Sequence, residues 1–135
     1  MNTYQTLFLA LVADTFRTGQ PFHATAHDTV LPKSWAIGKT NPQGEYGSVG
    51  IVFQNVGGVP AYFTEGNYAE TRNARVQVIV WAASPGDRTI ATDMLLRAVA
   101  KHPNMEPLTE AVDQYDRTVE LYGSQFDLSC WWTRD

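Results

Sequence analysis

The chain has 135 residues, the size of one domain, and 44% of them are hydrophobic, which is enough for one buried core. The formal net charge is −4, and the ten Lys and Arg residues form no basic run, which argues against groove-reading nucleic-acid binding. No apolar run approaches the ~20 residues of a membrane span, and the N-terminus lacks the basic segment of a signal peptide. The single cysteine, Cys130, excludes an intrachain disulfide and fits a reducing compartment.

The first predicted element is a helix over residues 3–17. Its apolar residues recur at the i, i+3, i+4 spacing of one helix face, and they are Tyr4, Leu7, Phe8, Leu11, Val12 and Phe16. Asn2 with Gln5 predicts a capping box at its start, and Gly19 predicts its end.

The next part of the chain, up to residue 74, gives weaker signals. Residues 22–27 are typical of a strand or an extended arm, residues 35–38 of a short strand, and residues 41–47 of a turn. Residues 49–56 predict a strand that Gly57-Gly58 interrupts, with Val49, Ile51 and Phe53 on one face. A long connection over residues 57–74 follows, and connections of this length inside a domain are usually functional or disordered.

A strand, a sharp turn and a helix over residues 75–101 form the best-defined unit. Val76, Val78, Val80 and Ala82 make one strand face wholly apolar, whereas Arg75, Gln77, Ile79 and Trp81 alternate on the other. Ser84, Pro85 and Asp87 predict a capped helix start. The predicted helix stripe consists of Ile90, Ala91, Met94, Leu95, Ala98 and Val99.

The last third of the chain predicts a β-hairpin. Pro103 ends the helix, and residues 104–116 are expected to form a connector with a short helical turn at 108–112. Strands over 117–122 and 125–132 are expected to join through Gly123-Ser124. The predicted fold is therefore one α+β domain over residues 1–135, a mainly antiparallel sheet with an N-terminal helix, one amphipathic helix packed on it, and a C-terminal hairpin.

Few residues indicate catalysis or metal binding. His23 and His27 have metal-ligand spacing only on a helix, and on a strand they lie about 13 Å apart at roughly 3.3 Å per residue, too far for one ion. Cys130 is typical of a small core residue rather than a nucleophile with His102 or His23 as its base. Nothing pairs the carboxylates into an acid–base site, the candidates being Glu65, Glu70, Asp87, Asp113, Asp116 and Asp127. No glycine motif predicts nucleotide binding, so no catalytic, metal or cofactor-binding residue is assigned.

Several aromatic residues fall away from the predicted core faces. Trp81 and Trp131 lie on the second strand faces, and Leu96 lies off the helix stripe. Either a partner or a second layer of the same chain covers them. The interface interpretation adds the aromatic residues of the 57–74 connection, so the predicted interface residues are Tyr62, Phe63, Tyr68, Trp81, Leu96 and Trp131.

The segment from Asn73 to Val99 resembles the central segment of phage tail terminator proteins, also called tail completion or minor tail proteins. The matching parts are Asn73-Ala74-Arg75-Val76-Gln77-Val78-Ile79-Val80-Trp81-Ala82 and Ile90-Ala91-Thr92-Asp93-Met94-Leu95-Leu96-Arg97-Ala98-Val99. The order of a short N-terminal helix, a Pro-bearing strand region, a long loop and a C-terminal hairpin with aromatics agrees too. The stretch 21–47 and the aromatic-rich insert at 57–74 have no counterpart in that pattern.

The resemblance implies a structural virion protein without enzymatic activity or cofactor. Such proteins form a hexameric ring that caps the finished tail tube, stops its polymerisation and offers the surface that joins the neck. The implied partners are other copies of the chain, the tail tube protein, the head-completion or neck protein, and DNA that passes through the channel without sequence-specific binding. The implied location is the virion tail, with assembly in the host cytoplasm and no membrane contact.

Acidic residues are expected near the channel, because a basic lumen would hold passing phosphates. The candidates are Glu45, Glu65, Glu70, Asp113 and Asp116. Two alternatives stay open: another ring protein of the neck or tail tube, and a small α+β ligand-binding or enzymatic domain.

Overall fold

The central element of the fold is β5, which hydrogen-bonds to a strand on each side. The computed structural model describes residues 3–17, 24–30, 49–57, 63–64, 67–68, 71–118 and 120–133. Their elements are α1 Tyr4–Thr15, β1 Ala24–Asp28, β2 Val49–Gly57, β3 Phe63–Thr64, β4 Asn67–Tyr68, β5 Thr71–Ala82, α2 Pro85–Lys101, β6 Met105–Pro107, β7 Val112–Asp116 and β8 Leu121–Thr133. The predicted α+β class is confirmed.

In the described part of the chain, the main sheet has six strands and is mostly antiparallel. Its order is β1-β2-β5-β8, and β6 and β7 both pair with the outer side of β8. Among the described strands of this sheet, β1 and β2 alone run parallel. The residues predicted as a strand or an arm are therefore a strand where they are described.

The connection predicted over residues 57–74 is shorter than expected. Gly57 still belongs to β2, and β5 begins at Thr71, so Thr71 to Ala74 pair with β8. Within the connection, β3 and β4 pair antiparallel, with Phe63 opposite Tyr68. The strand predicted at 35–38 and the turn at 41–47 lie outside the described residues.

One face of the sheet forms the core, as the alternation predicts. Val76, Val78, Val80 and Ala82 are fully buried, and Phe126, Leu128 and Cys130 of β8 lie on the same side. Both helices contribute to this single cluster, so both pack on the same face of the sheet. Each fully buried side chain of this size contributes about 1.5–3 kcal/mol of transfer free energy.

The N-terminal helix buries most of the predicted stripe, but its N-cap lies one residue after the predicted one. Thr3 is the N-cap, and its hydroxyl accepts a hydrogen bond from the Thr6 N–H at 3.3 Å. Phe8, Leu11 and Val12 are buried against the sheet, and the chain leaves the helix at Phe16. Asn2 was therefore the wrong cap, because Thr3 offers the same chemistry at the position where the helix begins.

The second helix begins as predicted, but its buried face is turned. The Ser84 hydroxyl accepts the Asp87 N–H at 3.2 Å, and Pro85 occupies the first turn. Ile90 was predicted inside and is 52% exposed, whereas Thr92 is buried. The reason is that α2 contacts β6 and β8 as well as β5, so its axis is not centred on β5 alone.

The C-terminal prediction is right about the strand over 125–132 and wrong about the strand over 117–122 and the turn at Gly123-Ser124. Residues 117, 118 and 120 lie in a turn, and only Leu121 and Tyr122 of that predicted strand belong to β8. β8 runs unbroken through Gly123 and Ser124, which pair with β5 and β7. The hairpin instead pairs β7 with β8, from Val112 opposite Gln125 to Asp116 opposite Leu121. No helical turn forms at 108–112, because the Leu108 N–H donates to the Asp127 carbonyl at 2.8 Å and keeps the chain along β8.

Candidate interface surfaces

The second face of the sheet is covered by neither described helix. We call it the open face and define it by the residues of β2, β5 and β8 that alternate with the core positions. They are Gly50, Val52, Gln54, Asn73, Arg75, Gln77, Ile79, Trp81, Gly123, Gln125, Asp127, Ser129 and Trp131.

Most side chains of the open face are uncharged, and several of its polar groups form hydrogen bonds across the strands. The Gln54 amide donates to Gln77 at 3.1 Å, and the Asn73 amide donates to the Ser129 hydroxyl at 2.7 Å. The face carries one arginine, Arg75, whose guanidinium lies 2.7 Å from the Asp127 carboxylate. The side chain of Asp127 is only 16% exposed, so this pair is better shielded than an ordinary surface ion pair. The open face is therefore electrically neutral.

Trp81 packs on the open face over Gly123. A Cβ at position 123 would lie 2.6 Å from Cζ3 of the Trp81 ring and 3.1 Å from Cγ of Gln114. The ring thus occupies the space that a side chain would fill, and Trp81 is only partly exposed. Its predicted contact with another subunit remains a prediction.

Trp131 lies at the opposite end of the same face. It is 39% exposed and pairs with Asn73, eight residues before Trp81 on β5. At about 3.4 Å per residue, the two tryptophans are roughly 27 Å apart along the strand. They therefore belong to two separate contact regions and not to one patch.

A segment that combines several acids with exposed apolar side chains lies along the outer side of β8. We call residues 105–118 together with Glu120 the acidic edge, which contains β6 and β7. Its five acids and single arginine give a net charge of −4, equal to that of the whole chain, so the remaining residues are neutral overall. Among these side chains Val112 is 66% exposed, Tyr115 49% and Leu108 44%. Within the described residues, β6 and β7 pair only with β8.

Leu96 lies beside this edge. With Leu108 and Pro107 it lines an open, largely apolar groove of about 470 Å³ between α2 and the edge. Leu96 also packs against the core and is only partly exposed.

Among the other predicted interface and channel residues, the structure describes some and not others. Phe63 and Tyr68 lie opposite each other in the β3–β4 pair. Tyr62, Glu45, Glu65 and Glu70 lie outside the described residues.

Both remaining acids proposed for the channel lie on β7. The Asp113 carboxylate pairs with Arg88 at 3.2 Å, and Asp116 accepts the Thr118 N–H at 3.0 Å. Arg88 also lies 6.0 Å from the centre of the Tyr122 ring. This network anchors β7 to α2, and whether either acid faces a channel remains a prediction.

The described residues considered for catalysis are buried in the core or take part in hydrogen bonds and ion pairs. Cys130 is fully buried among core side chains, and burial raises the pKa of its thiol to about 11, so the thiol stays protonated at neutral pH. The His102 ring accepts the Asn104 N–H at 3.0 Å. Asp127 forms an ion pair with Arg75, and Asp113 forms one with Arg88. The backbone N–H of Asp87 donates to the Ser84 hydroxyl that caps α2.

Of the two histidines considered for metal binding, the structure describes His27. His27 contacts the Thr25 hydroxyl at 2.8 Å on β1, and burial lowers its pKa, whereas His23 lies outside the described range. In the described part of the chain, no three His, Cys, Asp or Glu side chains group so that they could hold a metal ion. Neither described helix is both long and apolar enough to span a membrane.

Comparison with protein-family models gives no match for this chain, and no curated protein matches it either.

The sequence pattern does not predict the acidic edge as a surface. The sequence predicts a connector over residues 104–116, because Pro107 and the dispersed acids mask the strand pattern. The alternation of Val112, Gln114 and Asp116 against Asp113 and Tyr115 was the available signal for β7.

Proposed function

We propose that the chain is a tail terminator, a structural protein that assembles into a ring, caps the tail tube and offers the surface that joins the neck. The resemblance of residues 73–99 to that family is the starting point. The order of elements around β5 and α2 is compatible with it, since an N-terminal helix precedes the sheet and a β7–β8 hairpin ends the chain.

The neutral open face is the observation that carries the proposal. A ring around passing DNA needs a lining that does not hold phosphates, because each Lys or Arg contact adds to affinity through counterion release. The open face presents amides and hydroxyls, and its single arginine is already bound by Asp127. With both described helices on the other side, this face can line a channel while the helices face outward.

The test is a tube-growth assay followed by electron microscopy. Purified tail tube protein is polymerised with and without this chain, and tube lengths and end-bound density are measured. Capping predicts shorter tubes with density at one end. If the chain alone polymerised into long tubes, it would be a tube protein. If it stayed monomeric and tube growth were unaffected, the ligand-binding or enzymatic alternative would replace the proposal.

A further inference from the structure

We propose that the acidic edge docks a segment of a partner protein that combines lysine or arginine with apolar side chains. One cationic side chain of that segment enters a pocket between β6 and β7, and its apolar neighbours cover the exposed side chains of the edge. The docking surface goes beyond the proposed function and does not depend on ring formation.

The pocket lies on the outer side of β8, between the stretches where β6 and β7 pair with it. Its volume is about 310 Å³, near the lower limit of the roughly 300–1,000 Å³ that ligand pockets span, so it admits one side chain rather than a cofactor. Phe126 and Val112 supply apolar lining, and Glu110 and Asp127 supply carboxylates. This lining suits a positive charge carried on a hydrocarbon stem, as in lysine and arginine.

The backbone of β8 beside the pocket is already bonded, so recognition there uses side chains. The Asp127 carbonyl accepts the Leu108 N–H at 2.8 Å, and the Asp127 N–H donates to the Thr109 hydroxyl at 2.9 Å. These bonds hold the wall of the pocket in place before a partner arrives. Both contacts from Arg75 to the Asp127 carboxylate end on Oδ2, at 2.7 and 2.8 Å, so the arginine leaves Oδ1 to an incoming donor.

The charge of the acidic edge decides the chemistry of the partner. The edge carries a net charge of −4, and within the described residues its only ion pair joins Asp113 to Arg88. Uncompensated carboxylates attract cationic groups, and they repel nucleic-acid phosphates, anionic membrane surfaces and the acidic edge of another copy. The occupant that fits is therefore a basic protein segment.

A second copy of this chain matches the edge less well than a separate basic protein does. Outside the acidic edge the chain is neutral overall. Two exposed cations on the helices are already paired, Arg17 with Asp14 and Arg97 with Asp93. The complementary positive charge is therefore better supplied by a different protein.

Exposed apolar surface adds a driving force to the charge. Leu108 and Val112 are 44% and 66% exposed, and they flank Glu110 along the chain. Leu108 also lines the groove of about 470 Å³ beside α2. The pocket and the groove share Thr109 and Glu110, so one extended segment can occupy both. Covering the exposed apolar side chains removes them from water and favours the complex.

Peptide binding to the full-length chain tests the docking surface. Three labelled peptides of equal length are compared by fluorescence anisotropy: one alternates valine with lysine, one valine with glutamate, and one serine with lysine. The valine–lysine peptide is expected to bind at least about tenfold more tightly than either control, because only it offers both the positive charge and the apolar side chains. Equal affinity for either control peptide would overturn the proposal.

Two matched pairs of variants locate the binding. Leu108→Ser is compared with Leu9→Ser, because Leu9 on α1 is exposed to nearly the same extent, 45% against 44%. Glu110→Gln is compared with Glu106→Gln, which removes the same charge from the edge at a residue that lines neither the pocket nor the groove. Leu108→Ser and Glu110→Gln are expected to weaken binding of the valine–lysine peptide about threefold or more, and each control by less than about twofold.

The outcomes separate the occupants. Equal weakening by a variant and its control would overturn the docking site, because it would show a general effect of charge or surface rather than a local contact. Failure of the valine–lysine peptide to bind would overturn the basic partner. If Leu108→Ser then reduced self-association of the chain, measured by light scattering, the occupant would be a second copy.

Discussion

The Trp81 ring lies over Gly123 on the neighbouring strand, and no other residue at position 123 leaves room for it. A Cβ there would meet Cζ3 and Cε3 of the ring at 2.6 and 2.8 Å. The two residues are directly paired in the β5–β8 register. The glycine therefore belongs to the packing of the open face and not to a turn.

Replacing this glycine is expected to destabilise the fold. Gly123→Ala forces the ring or the strand to move, and overpacking of this kind costs about 1–3 kcal/mol. Gly86→Ala is the control, because nothing lies within 4 Å of a Cβ added there. Urea unfolding curves measure both variants. Equal stability of Gly123→Ala and the native chain would show that the ring does not need this space. In the Trp81→Leu background the cost is expected to shrink.

Replacing Thr92 is expected to stabilise the protein, whereas replacing Gly123 destabilises it. It is 4% exposed on α2, and its hydroxyl has no hydrogen-bond partner within the described structure. Thr92→Val removes a buried unsatisfied hydroxyl while nearly keeping its shape, so it is expected to stabilise the protein by about 1 kcal/mol. Thr89→Val is the control, since the exposed Thr89 hydroxyl donates to the Pro85 carbonyl at 3.0 Å and its loss gains nothing. A loss of stability in Thr92→Val, measured by thermal unfolding, would contradict the observed rotation of α2.

The start of α2 depends on the Ser84 cap. Ser84→Ala removes the acceptor of the Asp87 N–H and is expected to cost about 0.5–2 kcal/mol, whereas Ser84→Gly costs only a few tenths at a typical cap. The two variants are a matched pair, because both lack the hydroxyl but differ in backbone freedom. Denaturant unfolding of the pair reports the difference. If Ser84→Ala lost no stability, the capping bond would contribute nothing to the fold.

Cys130 predicts a loss of stability at high pH. Its thiol pKa in the folded chain is about 11, above the reference value of 9.0, because burial disfavours the thiolate. Below pH 9 both states hold the proton and nothing changes. Between pH 9 and 11 only the unfolded chain releases it, so the free energy of unfolding falls by up to about 1.4 kcal/mol per pH unit. The Cys130→Ala variant is expected to lack this pH-dependent loss of stability. The measurement is the free energy of unfolding of both proteins as a function of pH. Identical slopes would place the thiol in contact with water.

The core strands were predictable because alternation alone decides which face is covered. Val76, Val78 and Val80 permit one orientation only, and the same holds for Phe126 and Leu128. The Ser84 cap was equally predictable, since it depends on chemistry within one helical turn.

The errors came from features that depend on distant neighbours. Gly123-Ser124 has the local composition of a turn, but Trp81 and the pairing of Ser124 with Val80 decide its structure. Ile90 fits the apolar stripe, yet β6 and β8 determine which side of α2 is covered. The acidic edge could not be predicted as a surface, because its exposure depends on β8 being a single long strand.

The native mass of the 15.0 kDa chain, measured by light scattering across a concentration series with and without tail tubes, tests the ring most directly. A closed assembly of about six chains, in solution or at tube ends, is the expected result for heterologous contacts that close into a ring. A dimer whose mass stays constant at all concentrations, and which does not bind tubes, would contradict the account.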